Sequence, residues 1–135
     1  MLPWSFATER LAPARNYWIG TVGEDGRPSV TPVWGVWLDD AFRSGCSVRS
    51  RKALNLARDP RLVVHLESGD EVVILEGAVE SAEPDETVAA EFERKYEWRP
   101  NLEDVGSEAW FSFRPSVAFA WLESDYPRTV TRFDF

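Results

Sequence analysis

Residues 26–60 read GRPSVTPVWGVWLDDAFRSGCSVRSRKALNLARDP. Apolar runs and turn residues alternate through this stretch, and that alternation decides the architecture. Pro28 to Leu38 reads as one long strand, Asp39-Asp40 as a tight turn, and Ala41 to Val48 as the returning strand. A basic loop then runs into a short helix that Asp59-Pro60 stops.

Upstream, Asn16 to Val22 is rich in Tyr, Trp, Ile, Thr and Val, and Glu24-Asp25-Gly26 joins it to Pro28 as a hairpin. Residues 1–15 read as an amphipathic helix with Trp4, Phe6, Ala7 and Leu11 on one side and Pro13 as its stop. Downstream, Leu62 to Leu66 and Glu71 to Ser81 are strands turned by Ser68-Gly69-Asp70, with a bulge expected at Gly77. Pro84 opens a helix whose stripe is Val88, Ala89, Phe92 and Tyr96. Residues 98–106 read as irregular. Glu108 to Arg114 and Val117 to Leu122 follow as two strands turned at Pro115, and Thr129 to Phe135 closes the chain as a strand. Seven or so hairpin-linked strands with three helices predict a mainly β chain: an antiparallel barrel with helical plugs, in one domain over 1–135.

Within 28–38 the even positions Val30, Pro32, Trp34, Val36 and Leu38 are all apolar and are expected to face the core. The odd positions Ser29, Thr31, Val33, Gly35 and Trp37 leave a face with room for a flat ligand or a dimer contact. Pro32 lacks a ladder donor, which predicts a sheet edge or a bulge.

The chain carries a formal charge of −8, yet Ala41 to Arg58 holds Arg43, Arg49, Arg51, Lys52 and Arg58 and no acid. Acidity of this order argues against nucleic acid and anionic membranes as partners. A local basic cluster inside it points to a small anion. Ser50 stands where an N-cap stands, and Leu54, Leu56 and Ala57 supply the helix's apolar side. Free N–H groups at the helix start suit a phosphate, and Arg51 and Lys52 add charge-assisted donors. The competing reading is a solvated, arginine-rich helix start with no ligand. Cys46 is the single cysteine and His65 the single histidine, so neither a disulfide nor a zinc site is expected. No secretory leader or apolar run of membrane-spanning length is present, and the expected location is the cytoplasm.

Residues 16–22, then Asp25-Gly26-Arg27-Pro28, then Thr31-Pro32-Val33-Trp34-Gly35-Val36-Trp37 resemble the pyridoxamine 5′-phosphate oxidase-like split-barrel superfamily. Ser50-Arg51-Lys52-Ala53-x-Asn55-Leu56 with Asp59-Pro60 is similar to its phosphate loop, and Phe113-Arg114-Pro115 and Thr131-Arg132-Phe133-x-Phe135 match its short members. The resemblance implies a six- to seven-stranded split β-barrel with short flanking helices, a homodimer, and FMN or the deazaflavin F420 at the dimer interface. It places the cofactor phosphate on Ser44, Arg51 and Lys52, with Arg49 and Ser50 beside them. It lays the ring over Thr31, Pro32, Val33 and Trp34.

Departures narrow the activity. Where the true oxidases carry an Arg and a Lys on the second strand, this chain has Thr31 and Val36; a ring-contacting Gln is replaced by Val72, and no His follows His65. Pyridoxamine phosphate oxidation is therefore not expected. The resemblance then implies a flavin- or deazaflavin-dependent oxidoreductase passing hydride to a small-molecule substrate. The alternatives are a non-catalytic FMN, heme or tetrapyrrole carrier, and an interaction domain without a pocket. Arg43, Arg49 and Arg58 exceed what one phosphate needs and favour the longer anionic tail of F420. No side chain stands out as an acid–base catalyst.

Overall fold

The computed structural model describes residues 1–135. In chain order the elements are α1 (Trp4–Leu11), β1 (Tyr17–Val22), β2 (Pro28–Val33), β3 (Val36–Leu38), β4 (Ala41–Ser47), α2 (Arg51–Arg58), β5 (Arg61–His65) and β6 (Glu71–Ser81). They continue with α3 (Glu86–Tyr96), β7 (Glu108–Leu122), a 3₁₀ turn at Glu123–Asp125, α4 (Tyr126–Thr129) and β8 (Thr131–Asp134). Neighbouring strands in the antiparallel sheet follow the order β2-β1-β5-β6-β7-β4-β3, and β8 pairs with the far half of β7. No helix is long and apolar enough to cross a membrane.

Residues 28–38 do not form one strand. β2 and β3 adjoin in sequence but lie at opposite ends of the sheet order, so Trp34-Gly35 carries the chain from one edge to the other and the sheet curls into a split barrel. Backbone groups at this crossing have no strand ladder, and side chains take its place. The Gly35 N–H donates to Tyr96 Oη at 3.0 Å, Lys95 Nζ donates to the Gly35 carbonyl at 2.9 Å, and Ser44 Oγ donates to the Trp34 carbonyl at 2.7 Å. A Cβ on Gly35 would sit 2.2 Å from the Phe42 ring, so only glycine fits here.

The crossing also reverses the expected faces. In β2 the odd positions Ser29, Thr31 and Val33 turn inward, in register with buried Thr21, Ile19 and Tyr17, while Pro28, Val30 and Pro32 are exposed. Alternation alone does not say which face an edge strand buries when both are tolerably apolar. After the crossing, Val36 and Trp37 are both buried. Pro32 does lie on an edge strand, as its missing donor requires.

The main core fills the barrel with Tyr17, Ile19, Phe42, Leu75, Phe111 and Phe113, and α1 closes one end with Phe6, Ala7 and Leu11. Phe42 and Phe113 are fully buried, and truncating either costs about 3–5 kcal/mol. A smaller core of Val36, Val88, Phe92 and Tyr96 packs α3 against β3 and Trp110 of β7. Asp85 caps α3 by accepting from the Val88 N–H at 2.9 Å.

Three further expectations need correction. β7 runs through Pro115, which lies opposite Gly77 beside a bulge in β7: Glu76 pairs with Val117 and Gly77 with Pro115, leaving Ser116 as the extra residue, and a missing N–H is tolerated there. Thr129 ends α4, and the last strand begins at Thr131. On α2 the packed side is Lys52, Ala53, Asn55 and Leu56, whereas Leu54 and Ala57 are exposed.

Candidate functional site

The basic window folds into the wall of a groove. Ser50 caps α2: its Oγ accepts from the Ala53 N–H at 3.2 Å and donates to the Ser47 carbonyl at 2.7 Å. Asn55, buried on the inner side of the helix, donates from Nδ2 to Thr21 Oγ1 at 3.0 Å and so locks α2 against β1. With that side fixed, Arg51, Leu54 and Arg58, on one helical stripe, look across to the β1–β2 turn, and Asn55 closes the groove's floor. The groove encloses about 990 Å³, and its far wall includes Arg27, Pro28 and Ser29.

Charge in the groove is unevenly spent. Arg27 pairs with Asp25 at 3.3 Å, and Arg58 reaches Glu24 at 4.0 Å. Arg49 and Arg51, both exposed, meet no acceptor with their guanidinium groups. The Arg51 and Lys52 amides stand at the first turn of α2, where N–H groups have no intrahelical partner. Two unpaired guanidinium groups beside a helix start form an anion cradle whose fork geometry matches phosphate.

A second depression adjoins the first. It encloses about 770 Å³ on the outer face of β2, β1, β5 and β6, and shares Pro28 and Ser29 with the groove. Gly20, Val30 and Val63 make it a largely apolar shelf. Val30 is 56% exposed and Val63 36%. His65 lines its far side with Nδ1 2.8 Å from the Leu66 carbonyl. A carbonyl only accepts, so Nδ1 carries the proton and the Nε2 lone pair is free.

The residues expected around the ligand are thus divided. Arg49 and Arg51 line the groove, and Ser50 shapes its helix start. Lys52 is half-buried on the packed stripe of α2 and is not one of the groove's walls. Ser44 is 1% exposed, with its hydroxyl committed to Trp34. Thr31 and Val33 face inward, Pro32 outward, and Trp34 lies on the α3 side, stacked on Tyr96 at 4.5 Å. The ring-sized surface next to the groove is therefore the even face of β2, at Pro28 and Val30. Arg43 does not join the arginine track: it faces Val36 and Ser112 across the strands, and its buried Nε has no partner. Sequence reading missed Pro28, Val30, Val63 and His65, because their convergence depends on which face of an edge strand turns out.

A family model described as pyridoxamine 5′-phosphate oxidase matches residues 7–122. Among solved structures, an F420 reductase superposes with a TM-score of 0.68 at 18% identity, covering 87% of this chain and 98% of that one. A pyridoxamine 5′-phosphate oxidase-related, FMN-binding protein from Nostoc punctiforme gives 0.69 at 16% identity, covering 100% and 97%. The heme storage protein HutZ from Vibrio cholerae gives 0.65 at 20% identity, covering 83% and 86%. At these identities the likeness shows a shared split-barrel fold. A sequence search of curated proteins finds no match.

Proposed function

The chain belongs to the pyridoxamine 5′-phosphate oxidase family, and from that premise we propose that it is an F420- or FMN-dependent oxidoreductase. The observation that carries the reading is the anion groove opening onto an apolar shelf through Pro28 and Ser29. A ligand with a phosphate at one end and a flat ring at the other fits that pair of surfaces. Arg51 and the amides of the first helical turn hold the phosphate. Arg49 and Arg58 extend the positive wall toward the longer anionic tail of F420. The bound cofactor supplies hydride chemistry, and the protein positions the ring and keeps one of its faces dry. Thr31 and Val36, where the oxidases carry basic residues, argue against pyridoxamine phosphate as substrate.

The shelf leaves exposed apolar surface on a chain of 15.4 kDa, and we assign it to a second copy that also covers the ring. A monomeric mass by light scattering at micromolar concentration refutes this assignment. One observation favours a second reading, a heme or tetrapyrrole carrier: the free Nε2 of His65 on the shelf, in the tautomer a metal ligand needs.

Thermal shifts with F420, FMN and hemin decide between them, since a ligand at 100 times its Kd stabilises by about 2.7 kcal/mol. Arg51→Ala is expected to weaken the preferred cofactor at least ~10-fold, a loss of about 1.5–3 kcal/mol, with the unliganded Tm nearly unchanged. Lys52, outside the groove's walls, is expected to matter less, and unaltered affinity in Arg51→Ala refutes the phosphate assignment. Hemin alone stabilising the protein, with His65→Ala abolishing the effect, replaces the oxidoreductase with the carrier.

A further inference from the structure

Away from the groove, the molecule builds a small aromatic pocket of about 210 Å³ from Trp34, Gly45, Phe92, Trp98, Glu108 and Trp110. These six come from separate parts of the chain, and each of the three tryptophans is held in place by a specific device. Trp110 lies flat over Gly45, its cross-strand partner, so closely that a Cβ there would be 2.6 Å from the indole. Trp34 is held by its stack on Tyr96 and by the bonds to Gly35 that fix the strand crossing. Trp98 follows Glu97, which ends α3 with a positive φ of 57°. A non-glycine residue in the left-handed region is uncommon, and here it returns the chain so that Trp98 meets Trp34 edge-on at 6.5 Å and Phe92 at 5.9 Å.

The pocket's chemistry is the reverse of the groove's. Its single charged lining group is the Glu108 carboxylate, which is exposed and has no hydrogen bond or ion pair of its own. Residues 97–108 add Glu97, Glu103 and Asp104, while the one cation there, Arg99, is already paired with Glu86 and Glu93. Trp34 and Trp98 are 40% and 46% exposed, so aromatic faces and a carboxylate are open together. Indole is the strongest cation–π partner among side chains, and a carboxylate at the rim selects positive charge. The same stack already attracts one cation: the Arg15 guanidinium lies 5.2 Å from the Trp34 ring and 5.5 Å from Tyr96, without lining the pocket.

We propose that this pocket is a binding site for a small organic cation, of the methylated or quaternary ammonium class, independent of the cofactor reading above. A volume of about 210 Å³ suits one alkylammonium head and excludes a flavin ring. The test is an NMR titration of the indole N–H signals of the full chain with tetramethylammonium chloride, with sodium chloride and neutral tert-butanol as matched controls. Saturable shifts of a subset of indole signals are expected with tetramethylammonium only. Trp98→Ala is expected to weaken binding about tenfold. Glu108→Gln, an exposed substitution that keeps shape, is expected to weaken it about threefold. The absence of saturable shifts, equal binding of tert-butanol, or unchanged affinity in Glu108→Gln overturns the proposal.

Discussion

The arginine groove and the tryptophan pocket are two concave sites of opposite character on one small barrel. The groove is polar, wide and lined by guanidinium groups, largely from a single run of sequence, residues 49–58, facing a hairpin turn. The pocket is narrow, aromatic and acidic at its rim, and draws on β4, α3, β7 and the crossing between β2 and β3. The first is built by local order, with one helix presenting a stripe. The second is built by topology, and needs the barrel closed before its walls meet. Damage to the two sites should therefore dissociate.

Gly45→Val gives the largest expected effect. The new side chain must enter space held by the Trp110 indole, and overpacking of this kind costs about 1–3 kcal/mol. The expected result is a Tm several degrees lower and loss of tetramethylammonium binding, with cofactor affinity in the groove unchanged at temperatures where the variant is folded. Parallel loss of both ligands would mean that the two regions are one cooperative site.

This contrast also explains what was legible in the sequence. The groove's helix start was readable because its determinants lie within a few residues: Ser50 as cap, Arg51 beside it, and Asp59-Pro60 as stop. The antiparallel barrel followed from hairpin turns at Asp25-Gly26 and Asp39-Asp40, where positive φ at Gly26, Asp39 and Asp40 bears out the turns. The crossing at Trp34-Gly35 was not readable, since an apolar run of eleven residues looks the same whether or not it changes edge. Its mark in sequence is Gly35, whose necessity depends on Phe42 seven residues later. Missing that break reversed the faces of β2, so that Val30 and Pro32 were expected in the core and stand exposed instead. Likewise Leu54 and Ala57 read as an apolar side because Asn55 reads as polar. Its buried bond to Thr21 decides the orientation of α2, and that partner comes from another strand.

A smaller effect distinguishes the two cofactors within the groove. Arg49 is exposed and unpaired, so its charge acts through solvent and contributes about 0.2–1 kcal/mol. If the occupant is F420, Arg49→Ala is expected to weaken binding a few-fold and to reduce its decline with added salt. FMN, with one phosphate already met by Arg51, is expected to respond much less. Calorimetric titration at low and moderate salt checks this, and a tighter, salt-insensitive FMN complex reverses the order.

An effect of comparable size concerns the joint between the two regions. Lys95 Nζ donates to Tyr17 Oη at 2.7 Å and to the Gly35 carbonyl, beneath the crossing that carries Trp34. Burial pulls its pKa down to about 8 from the usual 10.5, against a smaller upward pull from Glu91, with Arg94 adding to the decrease. Between those two values the unfolded chain holds the proton that the folded chain has released, so this group makes stability rise with pH. Tyr17 acts in the opposite sense: burial raises its pKa, so its contribution falls once the unfolded phenol ionises near 10. The window for Lys95 is therefore pH 8 to 10. Partial exposure limits the gain to roughly 1 kcal/mol, a few degrees in Tm. Lys95→Met retains a chain of similar length and removes the titration. Subtracting its Tm profile from that of the unmodified protein is expected to leave a difference that grows across this window. A flat or falling difference would mean that the ammonium stays charged beneath Gly35, and that Lys95 joins the crossing as an ion and not as a neutral donor.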